Sequence, residues 1–193
     1  MSELRGAVGA ATTTLVCVPS MRSDDGCRDL LSAADSDTSV VWVTFNQSPS
    51  ACIERYESTA STTDAAGLTV IAVGDTGPVP STPDDVTVET VSTPDDLTGL
   101  GIVLSQCLSA HEEVVLCFDS LTVLLQYVDH ETAYEFLNAV TGHLYAAEAS
   151  AHFHLDPTAH DRRTIDALAS LFDAVVTRED GAWSVRTRDL LRT

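Results

Sequence analysis

The chain has 193 residues, with 29 Asp or Glu against 10 basic residues, which gives a formal charge of −19. Every basic residue other than histidine is arginine, so the sequence has no lysine. Such acidity disfavours nucleic-acid binding by phosphate neutralisation. There is no apolar run of about 18 residues and no basic, then apolar, N-terminus, so we expect a cytoplasmic protein without a membrane span or signal peptide.

The acidic residues are scattered, and 44% of the residues are hydrophobic, which predicts a folded domain rather than an acidic tail. Carboxylates repel one another in dilute buffer, whereas the Debye length falls to about 3 Å in molar salt. The charge and the missing lysine are therefore typical of a protein from the salt-rich cytoplasm of an extreme halophile. An ordinary acidic mesophilic protein is the alternative.

Short apolar runs alternate along the chain with segments of helical periodicity. Such runs are typical of strands that are buried on both faces of a parallel sheet. An Asp-Gly turn between two further runs predicts a C-terminal β-hairpin. The predicted strands are Leu15–Val18, Val40–Phe45, Leu68–Val73, Val86–Val88 (an edge strand), Val114–Phe118 and His152–Leu155, and those of the hairpin are Ala174–Thr177 and Trp183–Arg186.

Four helices are predicted between these strands from their N-terminal signals. Ser48-Pro49 and Thr93-Pro94 each place a capping residue before a proline at the first helical position. Two more helices are predicted to begin near Asp129 and near Asp161. Strands that alternate with helices indicate an α/β fold with a mostly parallel central sheet and helices on both faces.

The length fits a single domain over residues 1–193. Residues 74–85 are polar and are predicted to form a long surface loop. For residues 1–11, a flexible N-terminus is one interpretation. With these boundaries, the alternation of predicted strands and helices runs from the first predicted strand to the C-terminal hairpin.

Five cysteines are present, an odd number, and no two are spaced as C-x-x-C. They are Cys17, Cys27, Cys52, Cys107 and Cys117. Cys17 and Cys117 lie in strand-like runs and Cys107 lies on an apolar helical face, so we predict buried, reduced thiols that act as small hydrophobic side chains.

Two segments, in this order, resemble the RecA/KaiC type of P-loop ATPase. Val41–Pro49 is a strand that ends in Phe and two further polar residues before a helix, and Val114–Thr122 is an apolar strand that ends in Asp119-Ser120. The run from His152 to Pro157 is similar to one in haloarchaeal KaiC-like proteins that lack a P-loop. The resemblance covers most of the chain and implies a three-layer RecA/KaiC-like fold, with Asp119 at the position that serves Mg²⁺ in that family.

The resemblance fails at the phosphate-binding loop, which needs G-x-x-x-x-G-K-[ST] so that backbone N–H groups and a lysine hold the phosphates. If Gly26 matches the second glycine, Cys27 stands in place of the lysine and Arg28 in place of the hydroxyl residue. Asp24 and Asp25 add negative charge where phosphate would lie. We therefore expect no nucleotide cofactor.

Asn46-Gln47 stands where the resemblance implies a catalytic glutamate pair. An amide cannot accept a proton from water, so neither residue can act as a general base. Asp119 is then interpreted as a cap for the segment that follows. Together these losses predict a pseudo-ATPase without catalytic residues that acts as a scaffold or regulator in haloarchaeal signalling or transcription. Its partner would be a second copy, an active KaiC-like paralogue or another protein.

Two enzyme functions remain as alternatives. One is a weak ATPase that uses Asp119, and the other is a metal-dependent hydrolase. Alternating ligands on one strand would aim their side chains in one direction. Two histidines can equally pack on a buried sheet, and we expect no bound metal. The candidate ligands are His152, His154, Asp156 and His160, with His130 and Asp119 as further candidates.

Overall fold

The computed structural model describes residues 3–19, 27, 30–31, 37–59, 66–179 and 181–188. The strands within these residues are β1 Thr13–Cys17, β2 Thr38–Thr44, β3 Gly67–Val73, β4 Val86–Val91, β5 Glu113–Asp119, β6 Ser150–Leu155, β7 Ala174–Glu179 and β8 Ala182–Thr187. They form one eight-stranded sheet in the order β4-β3-β2-β5-β6-β1-β7-β8. Neighbouring strands are parallel except for the antiparallel β7–β8 hairpin.

The helices in the described ranges are α1 Glu3–Val8, α2 Pro49–Thr59, α3 Leu97–Ala110, α4 Leu121–Leu124, α5 His130–Ala146 and α6 Arg162–Ala169. Cys27, Leu30 and Leu31, between β1 and β2, are also helical. In the part of the chain that the structure describes, we find no helix with both the length and the apolar character that a membrane crossing requires.

Side chains on neighbouring positions of a strand point to opposite faces, and both faces of this sheet are covered. On β2, Val41 and Val43 face the core formed with α3, α4, α5 and α6. Val40 and Trp42 face the other core, which contains α2 and the helical residues Cys27 and Leu31. The sheet thus lies between two layers of helices, and the predicted α/β class, the mostly parallel sheet and the C-terminal hairpin are confirmed.

Three of the four predicted helix starts agree with the structure. Asp129 and Asp161 each cap a helix, accepting hydrogen bonds from the backbone N–H of Thr132 and Thr164 at 2.9 and 2.7 Å. The predicted start at Thr93-Pro94 is wrong. Residues 93–96 form a turn closed by a backbone bond of 3.1 Å, and α3 begins at Leu97.

The N-terminal stretch contributes to the core. Leu4 and Val8 of α1 are buried and pack beside Val16 and Val18 of the first strand and its extension. Residues 74–85 connect β3 to β4 without a helix or a strand. At the edge of the sheet, β4 extends three residues further than the predicted Val86–Val88.

Candidate functional site

The carboxyl ends of four adjacent parallel strands, β2, β5, β6 and β1, meet at one edge of the sheet. Ligands of α/β proteins bind at this edge. A cavity of about 260 Å³ lies there, and we call it the carboxyl-edge cavity. Its walls are polar, and they contain several of the residues that the sequence singles out. These are Asn46, Gln47, Asp119, Ser120, His154 and Asp156.

Gln47 and Asp119 contact each other inside this cavity. The Gln47 side-chain N–H donates to the Asp119 carboxylate at 2.9 Å. The Gln47 backbone N–H donates to Thr44 Oγ1 at 3.0 Å, which fixes the turn after β2. Burial raises the pKa of the Asp119 carboxyl above its usual range. The aspartate is thus held by an amide that cannot activate water.

The prediction that Asp119 caps the following segment is wrong. The cap of α4 is Ser120, whose Oγ accepts a hydrogen bond from the Val123 backbone N–H at 3.3 Å. Asp119 is the last residue of β5, and it lines the carboxyl-edge cavity instead of capping α4. A serine hydroxyl is as good an N-cap as a carboxylate, so the local sequence does not decide between them.

The ligand set of the alternative hydrolase, in which Asp156 and His160 join the two histidines, is not what the structure shows. The Asp156 carboxylate accepts hydrogen bonds from the backbone N–H and hydroxyl of Thr158 at 2.9 and 2.6 Å. His160 Nε2 lies 3.1 Å from Thr122 Oγ1, and burial lowers the pKa of this histidine. The reason is that β6 ends at Leu155, so strand alternation does not continue to Asp156.

His152 and His154 instead meet two cysteines on the face of the sheet opposite Phe118 and Phe153. Their nitrogen donors and the sulfurs of Cys27 and Cys117 all lie within 4.8 Å of one another, and all four residues are buried. We call this group the thiol–imidazole cluster. The two sulfurs are 3.2 Å apart, and His152 Nε2 is 3.4 Å from the Cys27 sulfur.

The protonation of this cluster is strongly perturbed. A hydrogen bond from Cys117 lowers the pKa of the Cys27 thiol, whereas burial raises the pKa of Cys117. Burial lowers the pKa of His152. Burial also opposes the charged form of His154, but the neighbouring Cys27 and Asp119 raise its pKa overall.

The cluster corrects two sequence-based expectations. The five cysteines are buried and unpaired as predicted, but Cys27 and Cys117 contact polar groups and are more than small hydrophobic side chains. Cys27 was also placed at a remnant phosphate loop, whose neighbours Gly26 and Arg28 lie outside the described residues. Cys117 and His152 are directly paired in the β5–β6 register, an arrangement for which the sequence alone carries no signal.

A second surface feature lies between α3 and α5 on the other side of the sheet. It is a groove with a volume of about 580 Å³. We call it the α3–α5 groove. Helix α3 has the sequence LTGLGIVLSQCLSA and carries no charged residue. The apolar side chains of the groove are Leu97, Ile102, Leu104, Leu108, Phe136, Ala139 and Val140.

Fold and site together define a three-layer α/β domain with a polar cavity at the carboxyl edge and a buried thiol–imidazole cluster. Residues 12–178 match the model of a family of unknown function, DUF7504, and the chain belongs to that family. No curated protein matches the chain. It is similar in fold to the solved protein of Project ID PH0250 from Pyrococcus horikoshii OT3, with a TM-score of 0.60 and 12% identity over 94% of this chain and 89% of that chain.

Proposed function

We propose that the chain is a non-catalytic domain of the RecA/KaiC type that acts by protein contacts, and that the α3–α5 groove is where two copies associate. We infer that it serves as a scaffold or regulator in haloarchaeal signalling or transcription, an inference that rests on the sequence resemblance to KaiC-like proteins. The observation that carries the proposal is the absence of charge from α3 in a chain of charge −19.

Charge decides which surface can join two identical chains. Carboxylates are spread over the sequence, so contact between most pairs of faces brings like charges together, which is unfavourable. The exposed positions of α3 are Thr98, Ile102, Gln106, Ser109 and Ala110, all uncharged. The exposed residues of α5 that line the groove are Ala139 and His143. No carboxylate of the described residues lines the groove, so two copies can bury its lining without burying a carboxylate.

The groove also offers apolar area to bury. The Ile102 side chain is 54% exposed, although it belongs to a helix whose other large apolar residues are mostly buried. A contiguous apolar patch on a protein surface often marks an interaction site. Because the contact is apolar, screening by molar KCl does not weaken it, and KCl reduces the repulsion between the two acidic chains.

We expect the wild-type chain to dimerise in about 2 M KCl and Ile102→Asp to weaken the dimer at least tenfold, since the new carboxylate would be buried in the contact. Light scattering after size-exclusion chromatography over a concentration series measures this. Val79→Asp is the matched control, because Val79 is 53% exposed and is not among the residues that line the groove. A wild-type chain that stays monomeric, or equal dimerisation of both variants, contradicts self-association at this groove.

Two independent losses support the non-catalytic part of the proposal. The chain has no lysine to pair with a phosphate. In addition, the Gln47 side chain donates a hydrogen bond of 2.9 Å to the Asp119 carboxylate. Mg²⁺, or a water molecule bound to it, would compete with this amide for one of the two carboxylate oxygens of Asp119. Burial already disfavours the charged form of this carboxyl.

We expect no ATP hydrolysis and no ATP binding at millimolar ATP and Mg²⁺ in molar KCl. Phosphate release and isothermal titration calorimetry measure the two properties. Gln47→Glu is expected to restore neither, because it supplies a potential base but no phosphate-binding lysine. ATP turnover by the unmodified chain that disappears in Asp119→Ala would overturn the pseudoenzyme proposal.

A further inference from the structure

We propose that the thiol–imidazole cluster is a zinc site, with Cys27, Cys117, His152 and His154 as its four ligands. This inference goes beyond the proposed function and does not depend on it. Two thiolates and two imidazoles are a donor set that Zn²⁺ takes in tetrahedral protein sites. All four donors come from buried residues whose ligand atoms lie within 4.8 Å of one another.

The distances between the ligand atoms are close to those of a zinc site, so one ion could be bound after a small movement of the side chains. With Zn–S near 2.3 Å and Zn–N near 2.0–2.1 Å, the ligand atoms of a tetrahedral site lie about 3.3 to 3.8 Å apart. The His152 Nε2–Cys27 sulfur distance of 3.4 Å falls within that range. The sulfurs of Cys27 and Cys117 are 3.2 Å apart and would separate by roughly half an ångström. Side-chain rotation alone can supply such a shift.

His154 gives the second, independent observation. Both of its ring nitrogens are buried and have no hydrogen-bond partner within the described part of the chain. A buried polar group that lacks a partner costs about 1–3 kcal/mol, so native proteins seldom leave one. A metal–nitrogen bond would satisfy one of these nitrogens. Packing of a histidine on a sheet, the simpler explanation, leaves both unsatisfied.

Four protein ligands make a closed site. Catalytic zinc keeps one position for water or substrate, whereas structural zinc has all four positions filled by the protein. The inferred site is therefore structural rather than hydrolytic, and it is compatible with a non-catalytic domain. On binding, each cysteine thiol loses its proton to solvent, so one Zn²⁺ displaces two protons and the affinity falls as the pH is lowered.

The ligands join parts of the chain that are distant in sequence. Cys117 lies on β5 and His152 and His154 lie on the neighbouring β6, while Cys27 comes from the helical residues between β1 and β2. An ion at this position would fasten that helical segment to the middle of the sheet. Binding would thus stabilise the folded chain as well as the site.

The test uses the full chain, purified in molar KCl without a chelator or a metal-affinity resin. We expect one zinc per chain by elemental analysis, and X-ray absorption that shows two sulfur and two nitrogen ligands. In metal-free protein refilled with Co²⁺, we expect visible ligand-field bands of a tetrahedral site and a thiolate-to-cobalt charge-transfer band. Protein that binds neither Zn²⁺ nor Co²⁺, or a cobalt spectrum without thiolate bands, overturns the proposal.

Matched variants then identify the ligands. We expect Cys117→Ser and His154→Gln to lower zinc affinity at least about 100-fold, since even residues behind the ligands change affinity 10- to 100-fold. Cys107→Ser and His111→Gln remove the same groups outside the cluster and should bind zinc as the wild type does. Retained affinity in Cys117→Ser, or a loss caused by Asp156→Asn instead, overturns this ligand set. The cobalt spectrum of the wild type decides the case if a ligand variant does not fold.

Discussion

Lowering KCl from about 2 M to about 0.1 M is expected to unfold much of the protein at room temperature. The formal charge of −19 is carried by a chain of only 193 residues, so repulsion between carboxylates favours expansion when it is not screened. Molar salt shortens the Debye length to about 3 Å and removes most of that repulsion. It also strengthens the burial of apolar side chains when the salt is excluded from the surface.

An exposed ion pair in the described part of the chain illustrates how weakly such pairs offset the repulsion. The Arg162–Asp166 pair, for example, is 3.6 Å apart with side chains that are 93% and 61% exposed. Exposed pairs of this kind contribute about 0–1 kcal/mol. Ten arginines cannot neutralise 29 carboxylates whatever their arrangement.

Circular dichroism during thermal unfolding, repeated over a series of KCl concentrations, measures the effect. A parallel series at low salt with a neutral osmolyte such as sucrose separates screening from the exclusion of cosolvent, because sucrose does not screen charge. Equal unfolding temperatures in 0.1 M and 2 M KCl would contradict the halophile interpretation of the sequence.

Much of the fold could be predicted because its signals are local. Strands such as β2 and β5 are continuous apolar runs, and this pattern arises wherever both faces of a parallel sheet are covered. Asp129 and Asp161 were recognisable as caps because a short carboxylate just before an amphipathic segment can accept a backbone N–H. Thr93-Pro94 carries a similar signal, but Asp96 lies three residues later and caps α3 instead.

The cluster could not be predicted in the same way, because its ligands are assembled by the order of the strands. Alternation correctly placed His152 and His154 on one face of β6, but strand spacing gave no information about Cys27, which is 125 residues away from His152. Cys117 joins them because β5 and β6 are neighbours in register. Closeness in sequence therefore favours Asp156 and His160 as further ligands, but in the structure these residues make hydrogen bonds to Thr158 and Thr122.

The second large effect is expected from Phe118→Ala. Phe118 is completely buried on β5, and its ring lies 5.4 Å from that of Phe45 and 5.3 Å from that of Phe153. Removing such a ring costs the transfer free energy of the lost atoms and leaves a cavity, together about 3–5 kcal/mol. Because whole domains are stable by about 5–15 kcal/mol, this single change removes a large fraction of the total.

Phe118 directly precedes Asp119, which lines the carboxyl-edge cavity, at the end of the strand. Collapse of the neighbouring rings into the space left by alanine would shift the end of β5 and with it the Asp119–Gln47 hydrogen bond. Phe118→Leu keeps most of the volume and is expected to cost less than the alanine variant. Tyr127→Ala, at a side chain that is 54% exposed, serves as the surface control and should change stability by about 0.5 kcal/mol or less.

Denaturant unfolding in 2 M KCl, followed by circular dichroism, gives the free energy of unfolding for each variant. Urea is the suitable denaturant, because guanidinium chloride is itself a salt and would screen the carboxylates as it unfolds the chain. We expect the order wild type and Tyr127→Ala, then Phe118→Leu, then Phe118→Ala. If Phe118→Ala matched the surface control, the row of phenylalanine rings from Phe45 to Phe153 would not be the packed core that the structure describes.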